Sequence, residues 1–245
     1  MTRASVRPTS SVSGPASSRR CAPAAAAPAA ATRSTISAPS TRTQPQAGPH
    51  DPARPMGLLD DAEAIRDSLR RIDGPVAVIA HSYGGVPATE AIADAPNVVR
   101  AVYLAAFQLD AGESMFTFLG SPVPDDGTGH APPYEDARRI LFDDVPDADA
   151  ERAVARLRPQ TVLSFTERVT SAGWRTVPSS HVVCERDRAL EPSRQHELAT
   201  RAGSVHRLPS GHSPFLSMPR QLDTLLVRIA TSAAAPPREP THCRS

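Results

Sequence analysis

Short apolar runs alternate with helical patterns along the middle of the chain. Apolar runs typical of buried strands are VAVIA (76–80), VVRAVYLAAF (98–107), TVPSSHVVCE (176–185) and VHRL (205–208). Helical patterns cover residues 84–95, 193–202 and 220–230, together with an apolar stripe that begins at Leu58 and recurs every three or four residues as far as Ile72. Strands that alternate with helices form parallel sheets covered on both faces, so the pattern predicts an α/β domain over residues 56–232.

The two ends of the chain have a different texture. Residues 1–55 consist largely of Ala, Ser, Thr, Pro and Arg, with no acidic residue before Asp51 and no aromatic residue before Tyr83. Such a segment cannot bury enough apolar surface to offset its chain entropy, so we predict disorder there, with a targeting signal as the alternative. The Pro-containing residues 233–245 are predicted to be a disordered tail.

Composition narrows the range of partners and chemistries. The 245 residues carry a net charge of +1, which gives no indication of a nucleic-acid or membrane partner. All 27 basic residues are arginine, which excludes lysine chemistry. The three cysteines are widely spaced and form neither a disulfide framework nor a zinc motif. We therefore expect a cytoplasmic protein with no cofactor and no bound metal; the pattern leaves the oligomeric state open.

One serine stands where the first apolar run meets the following helix, in AHSYGG. A strand–Ser–helix turn is the nucleophile elbow, in which a sharp turn raises the serine hydroxyl above the sheet. Ala80 and Gly84 supply the small residues expected two positions before and after Ser82, and Tyr83 N–H is a candidate oxyanion donor. Taken alone, the same pattern also fits an ordinary tight turn.

An acid and a histidine follow the later strands in the order that this elbow requires. Asp187 comes directly after the third apolar run, and His212 follows the fourth in LPSGHSPF. Active sites of open parallel sheets lie at the carboxyl ends of the strands, so both side chains are predicted to meet Ser82. His212 is the candidate base and Asp187 its orienting acid. Asp110 is the second choice of acid and Glu185 a weaker one.

Five motifs together resemble the small α/β-hydrolases grouped with plant methylesterases, hydroxynitrile lyases and bacterial esterases. They are HSYGG, AVYLAAFQLDAGES, RLRPQTVLSFTE, VVCERDR and GHSPFLSMP, and the resemblance covers about residues 58–229. It implies an α/β-hydrolase sheet, Ser82 as nucleophile, Asp187 as acid, His212 as base, and a helical lid formed by residues 108–172.

The resemblance also implies a small carboxylic ester as substrate. Side chains expected around an apolar pocket are His81, Phe107, Phe118, Phe165, Trp174 and Phe215, although each could equally pack the lid on the core. A hydroxynitrile lyase is less favoured, because those enzymes carry a lysine just after the catalytic histidine, where this chain has Ser213.

The amino-terminal part of the family pattern is not recognisable before Leu58. The family begins with a strand whose loop donates a second oxyanion N–H, followed by further strands. Reading SGPASSRRCAP one base upstream permits F-W-A-G-(V/F)-(V/F)-P-A-L-R-A, which is similar to strings of the family at this position. We therefore hypothesise that residues 1–55 are a frameshifted translation of the first half-sheet. The alternative function is then a catalytically impaired or dead α/β-hydrolase-like product.

Overall fold

The computed structural model describes residues 56–122 and 129–232; the segments predicted to be disordered, 1–55 and 233–245, lie outside them. The helices are α1 Leu58–Arg70, α2 Gly85–Ala91, α3 Met115–Leu119, α4 Ala137–Leu141, α5 Asp147–Val154, α6 Leu163–Thr166, α7 Pro192–Ala199, α8 Pro214–Ser217 and α9 Pro219–Thr231. The strands are β1 Val76–His81, β2 Val98–Leu104, β3 His130–Ala131, β4 Gln160–Thr161, β5 Ser179–Cys184 and β6 Ser204–Leu208.

The main sheet of the described residues is parallel and has the order β1-β2-β5-β6. Each of its four strands matches a predicted apolar run to within three residues, and each is followed by helical structure, which confirms the α/β prediction. The remaining strands, β3 and β4, form a small antiparallel pair inside the segment between β2 and β5.

Alternate residues of β2 face two different helical layers. Val102 and Leu104 pack with Leu222 and Leu225 of α9 on one face of the sheet. Ala101 and Tyr103 pack with α1 and the end of α2 on the other. This period of two explains why a strand buried on both faces reads as a continuous apolar run.

Strand β1 lies at an edge of the sheet in the described part of the chain. Ile79 pairs with Val102, so it lies on the face that α9 covers farther along the sheet, yet half of its surface is exposed. Exposed apolar side chains beside an unpaired strand edge are unusual in a stable sheet. This edge agrees with the prediction that the fold lacks recognisable amino-terminal strands.

Several predicted element boundaries differ from the structure, and those of β2 and α1 are examples. The second apolar run was predicted to be a strand as far as Phe107, but β2 ends at Leu104 because Ala105 has a positive φ of 44°. The stripe of α1 was predicted to include Ile72, but the helix ends at Arg70 and Ile72 is exposed. Leu58, Ala62 and Leu69 are buried as expected.

A buried carboxylate fastens the segment between β2 and β5 to helix α2. Glu90 accepts hydrogen bonds from Thr170 N–H at 2.7 Å, Thr170 Oγ1 at 2.6 Å and Ser171 N–H at 3.0 Å. Arg66 of α1 donates to the same carboxylate at 3.4 Å. Hydrogen bonds from several elements satisfy this buried charge, and they fix where the segment returns to the sheet.

None of the helices in residues 56–122 and 129–232 is long and apolar enough to cross a lipid bilayer.

The fully buried His181 makes stability depend on pH. Burial, with the nearby His196, lowers the pKa of its imidazole to about 3. As the pH falls below about 6.5, the imidazole binds a proton in the unfolded chain but not in the folded chain, so the free energy of unfolding decreases. Between pH 7 and pH 5 the wild type should lose about 2 kcal/mol more than His181→Gln, measured by urea unfolding. Equal losses in the two proteins would contradict the buried neutral imidazole.

Candidate active site

Ser82 occupies a strained turn at the carboxyl end of β1. Its φ is +53°, a region that non-glycine residues rarely adopt. A short 3₁₀ helix, Ser82–Gly84, continues directly into α2. Phe107 N–H donates to the Ser82 carbonyl at 3.1 Å and joins the turn to the chain that leaves β2. The strand–Ser–helix geometry predicted from the sequence is therefore present.

The glycine that this turn requires is Gly85 rather than Gly84. A Cβ atom at Gly84 would meet no described atom within 4 Å, whereas one at Gly85 would lie 2.5 Å from the carbonyl oxygen of Phe107. The sequence predicted only a small residue at Gly84; the close approach occurs one residue later, where α2 packs on the backbone that follows β2.

Asp187 and His212 form a buried hydrogen-bonded pair. His212 Nδ1 lies 2.7 Å from Asp187 Oδ2, and because a carboxylate can only accept, Nδ1 carries the proton. Nε2 is then left as an acceptor. Asp187 Oδ1 accepts from the N–H groups of Ala189 and Leu190 at 2.8 and 3.0 Å. These contacts hold the carboxylate in one orientation toward the imidazole.

His81 connects the serine turn to the histidine loop. Its Nε2–H donates to the His212 carbonyl at 2.8 Å, and the two rings lie 4.6 Å apart. Burial, followed by the proximity of His212, lowers the pKa of His81 to about 4, so its ring is neutral near pH 7. Because His81 adjoins Ser82 in the chain, this contact brings all three predicted residues to one end of the sheet. No hydrogen bond between the Ser82 hydroxyl and the His212 ring is present in the described residues.

A strained serine, a buried His–Asp pair and a parallel sheet agree with comparisons to known proteins. A model of the alpha/beta hydrolase family matches residues 15–224. The chain belongs to the alpha/beta hydrolase family. The matched region begins upstream of residue 58, where the motif resemblance starts, and its first part, residues 15–55, lies outside the described structure.

Curated relatives of the chain are named hydrolases and methylesterases. A probable hydrolase from a Phoma species is 29% identical over 192 residues, covering 71% of this chain and 78% of that protein. Methylesterase 17 of Arabidopsis thaliana is 27% identical over 187 residues, covering 65% and 68%.

Solved structures of other proteins share the fold of this chain. Polyneuridine aldehyde esterase aligns with a TM-score of 0.58 at 18% identity, covering 71% of this chain and 80% of that one. A pyrethroid hydrolase from Sphingobium faniae JZ-2 aligns with a TM-score of 0.58 at 20% identity, covering 73% and 79%. At these identities the comparison establishes the α/β-hydrolase fold alone.

The two other candidate acids lie in ion pairs away from His212. Asp110 pairs with Arg175; partial burial acts to raise the pKa of Asp110, but the guanidinium and the Ala111 N–H outweigh it and lower this pKa. Glu185 lies 3.7 Å from Arg207 on an exposed surface. Neither carboxylate contacts the imidazole of His212, so the geometry favours Asp187.

The predicted pocket aromatics divide into two groups. Those near the elbow form ring contacts: Phe165 with Tyr83 at 5.6 Å, Phe118 with Phe107 at 6.1 Å, and Phe215 with His81 at 5.0 Å. The other group is Trp174 alone, which packs in a separate core cluster with residues of α1, β1 and β2 and donates to the Leu109 carbonyl at 2.7 Å. The structure thus does not bring the Trp174 ring to the group around Ser82.

Gln195 of α7 is a site residue that the sequence did not reveal. It is fully buried, and its Nε2 donates to Asp187 Oδ2 at 2.8 Å and to the Leu190 carbonyl at 2.6 Å. Its Oε1 accepts from Cys184 N–H at 2.8 Å. A polar residue inside the PSRQHELA helix was the available signal, but sequence alone does not show which way it points.

Metal chemistry has no obvious ligand set here. No group of three or more His, Cys, Asp or Glu side chains in residues 56–122 and 129–232 is arranged to hold a metal ion.

Replacing Gln195 should loosen the acid loop. Gln195→Ala leaves the Cys184 N–H and the Leu190 carbonyl without their buried partner, so the free energy of unfolding should fall by about 2–4 kcal/mol. The control Gln221→Ala, on the exposed face of α9, should change it by less than about 0.5 kcal/mol. Urea denaturation measures both, and equal effects would show that the Gln195 contacts contribute nothing specific.

Proposed function

We propose that this protein is a serine hydrolase that cleaves a small carboxylic ester through Ser82, His212 and Asp187. The observation that carries the proposal is the buried His212–Asp187 pair at the same end of the sheet as Ser82, which is held at φ +53° and whose neighbour His81 bonds the His212 carbonyl. Membership of the alpha/beta hydrolase family and relatives named methylesterases support the same reaction class.

The chemistry follows the usual acyl-transfer sequence. The Ser82 oxygen attacks the acyl carbon while His212 Nε2 takes the hydroxyl proton, and the alcohol leaves with that proton as the ester C–O bond breaks. Water, deprotonated by the same imidazole, then releases the acid and restores the Ser82 hydroxyl. Asp187 keeps the ring in the required tautomer and stabilises the imidazolium that forms in each step.

Tyr83 contributes to the proposed site through its backbone N–H and through its phenol. Its N–H lies at the start of the 3₁₀ helix, where the first amides have no intrahelical acceptor, and we assign it to the oxyanion site. Its phenol donates to Asp61 Oδ2 at 2.6 Å and thereby ties the turn to α1. Burial raises the pKa of both the phenol and the Asp61 carboxyl.

The substrate pocket is assigned to the phenylalanines near the elbow, and its cover to the segment between β2 and β5. We propose that residues 108–172 act as the lid and that Phe165, Phe118, Phe107 and Phe215 offer an apolar surface to the acyl or alkoxy part of a small ester. No cofactor, nucleic acid or membrane partner enters the proposal. We place the reaction in the cytoplasm, in keeping with the free buried thiol of Cys184.

The second oxyanion donor has to come from outside the described residues if the reaction follows the family pattern. The open edge of β1 is where the missing strands of the frameshift hypothesis would pair. Losing one oxyanion donor costs roughly 100- to 1000-fold in rate. The competing function, an impaired or dead hydrolase-like product, therefore predicts that restoring the alternative reading frame raises ester turnover by a similar factor.

Substitution of the nucleophile tests the proposal. Ser82→Ala should abolish hydrolysis of short p-nitrophenyl esters in this chain and in its frame-restored form, while the circular dichroism spectrum stays unchanged, because only the attacking oxygen is lost. Ester turnover retained by the folded variant would refute the assignment of Ser82.

The acid can be tested by comparing two carboxylates. Asp187→Asn should lower kcat by about 10⁴-fold, because the amide favours the wrong imidazole tautomer. Asp110→Asn removes the charge that pairs with Arg175 on the surface, and it should change kcat less than about threefold. Stopped-flow or steady-state ester kinetics measure both, and the reverse ranking would move the acid to the loop after β2.

A further inference from the structure

Two adjacent acids between α4 and α5 reach into the loops that carry the proposed acid and base. Asp144 Oδ2 accepts from the N–H of Gly211, the residue before His212, at 2.6 Å. Asp143 Oδ2 accepts from Arg188 Nε, on the residue after Asp187, at 2.8 Å. The segment proposed as a lid is therefore attached to both loops at this point.

The attachment at Gly211 leaves no spare space. A Cβ atom on Gly211 would lie 2.5 Å from Asp143 Oδ1 and 2.8 Å from Asp144 Oδ1. Both of these oxygens are buried, and neither has a hydrogen-bond partner within the described residues. The two carboxylates thus fill the space beside Gly211, so that a side chain at this position would have to displace them.

The turn that carries the two acids is itself held firmly. Phe142 and Val145 are buried, and with Leu216, two residues beyond the start of α8, they form a small apolar cluster. Arg138 of α4 donates to the carbonyls of both Phe142 and Val145. The turn is therefore a fixed support rather than a loose part of the lid.

The loop that carries His212 also accepts hydrogen bonds from two other parts of the structure. His81 bonds the His212 carbonyl from the serine turn, and Arg186 N–H donates to the Ser210 carbonyl at 2.9 Å from the end of β5. Asp144 supplies the contact from the lid side. Without it, the Gly211 N–H would lose its acceptor, and the loop that carries the ring would be held less firmly.

We propose that Asp144 is a positioning residue that holds the His212 imidazole in line with Ser82 through the Gly211 N–H, with Asp143 supporting the acid loop in the same way. The inference rests on the proposed function, because the positioned ring is the proposed general base. Displacement of a catalytic group by about 1 Å can cost roughly 100-fold in rate, so the effect of this contact is expected in kcat.

Three variants separate positioning from general stability. Asp144→Ala removes the acceptor and should lower kcat for a p-nitrophenyl ester about 100-fold, with KM changed less than about threefold. Asp144→Asn keeps an acceptor oxygen at the same length and should recover at least tenfold of that loss. The control Asp67→Ala removes a carboxylate that forms an exposed i,i+3 ion pair with Arg70 on α1, and it should leave kcat within about twofold.

A spectroscopic measurement tests the same contact without any catalytic activity. The Nδ1 proton of His212, donated to Asp187, should give a low-field proton NMR signal in the wild type, assigned by its absence in His212→Gln. In Asp144→Ala this signal should shift upfield or broaden by exchange with water, and in Asp144→Asn it should persist. If the wild type hydrolyses no ester, the proposed function fails, yet the NMR comparison still decides whether Asp144 positions the ring.

The outcomes are distinct. Loss of kcat and of the His212 signal in Asp144→Ala, with recovery in Asp144→Asn, supports the proposal. Unchanged kcat and an unchanged signal in folded Asp144→Ala would overturn it. Should Asp144→Ala fail to fold, Asp144→Glu is decisive: its extra methylene forces the carboxylate against Gly211, so wild-type kcat and an unchanged signal in that variant would equally overturn the proposal.

Discussion

The close packing of Gly85 on the backbone of Phe107 is the contact on which the position of the serine turn and of α2 depends. It allows α2 to start directly after the serine turn and to lie against the chain that leaves β2. The hydrogen bond from Phe107 N–H to the Ser82 carbonyl reinforces the same contact. A non-glycine residue at positive φ costs about 1–3 kcal/mol, and these contacts, together with the β1–β2 pairing, keep Ser82 in that conformation.

From this fixed turn the remaining groups are located by short contacts between loops. His81 reaches the His212 carbonyl from the serine side, Gln195 of α7 donates to Asp187, and Asp144, between α4 and α5, accepts from the Gly211 N–H. Each contact joins residues that are distant in the sequence or belong to different elements. A parallel sheet brings the ends of its strands together, and these side-chain contacts join the loops that follow the strands.

Much of the fold could be predicted from the sequence because its strands and helices have strong apolar periodicity. Each main-sheet strand matches a predicted run to within three residues, and the helix predicted at residues 220–230 is α9, which buries Leu222, Leu225 and Ile229. The strand–Ser–helix turn was recognisable because it combines an apolar run with two glycines.

What the sequence could not show depends on three-dimensional contacts of single residues. The tight glycine is Gly85 because of a backbone that lies about twenty residues later, and Gln195 is one polar residue in an otherwise ordinary helix. The position of Trp174 just after the predicted lid favoured a place in the pocket. Its indole N–H instead donates to the Leu109 carbonyl, and its ring packs against the core. Propensity and spacing contain no information on such pairings.

The central claim is that Ser82 is an activated nucleophile, and covalent labelling tests it most directly. The protein should be treated with a fluorophosphonate, digested and mapped by mass spectrometry, with His212→Gln treated in parallel. The account predicts one adduct, on the peptide that contains Ser82, formed much faster in the wild type than in His212→Gln. No adduct on folded protein, or an adduct on another serine at the same rate in both proteins, would contradict it.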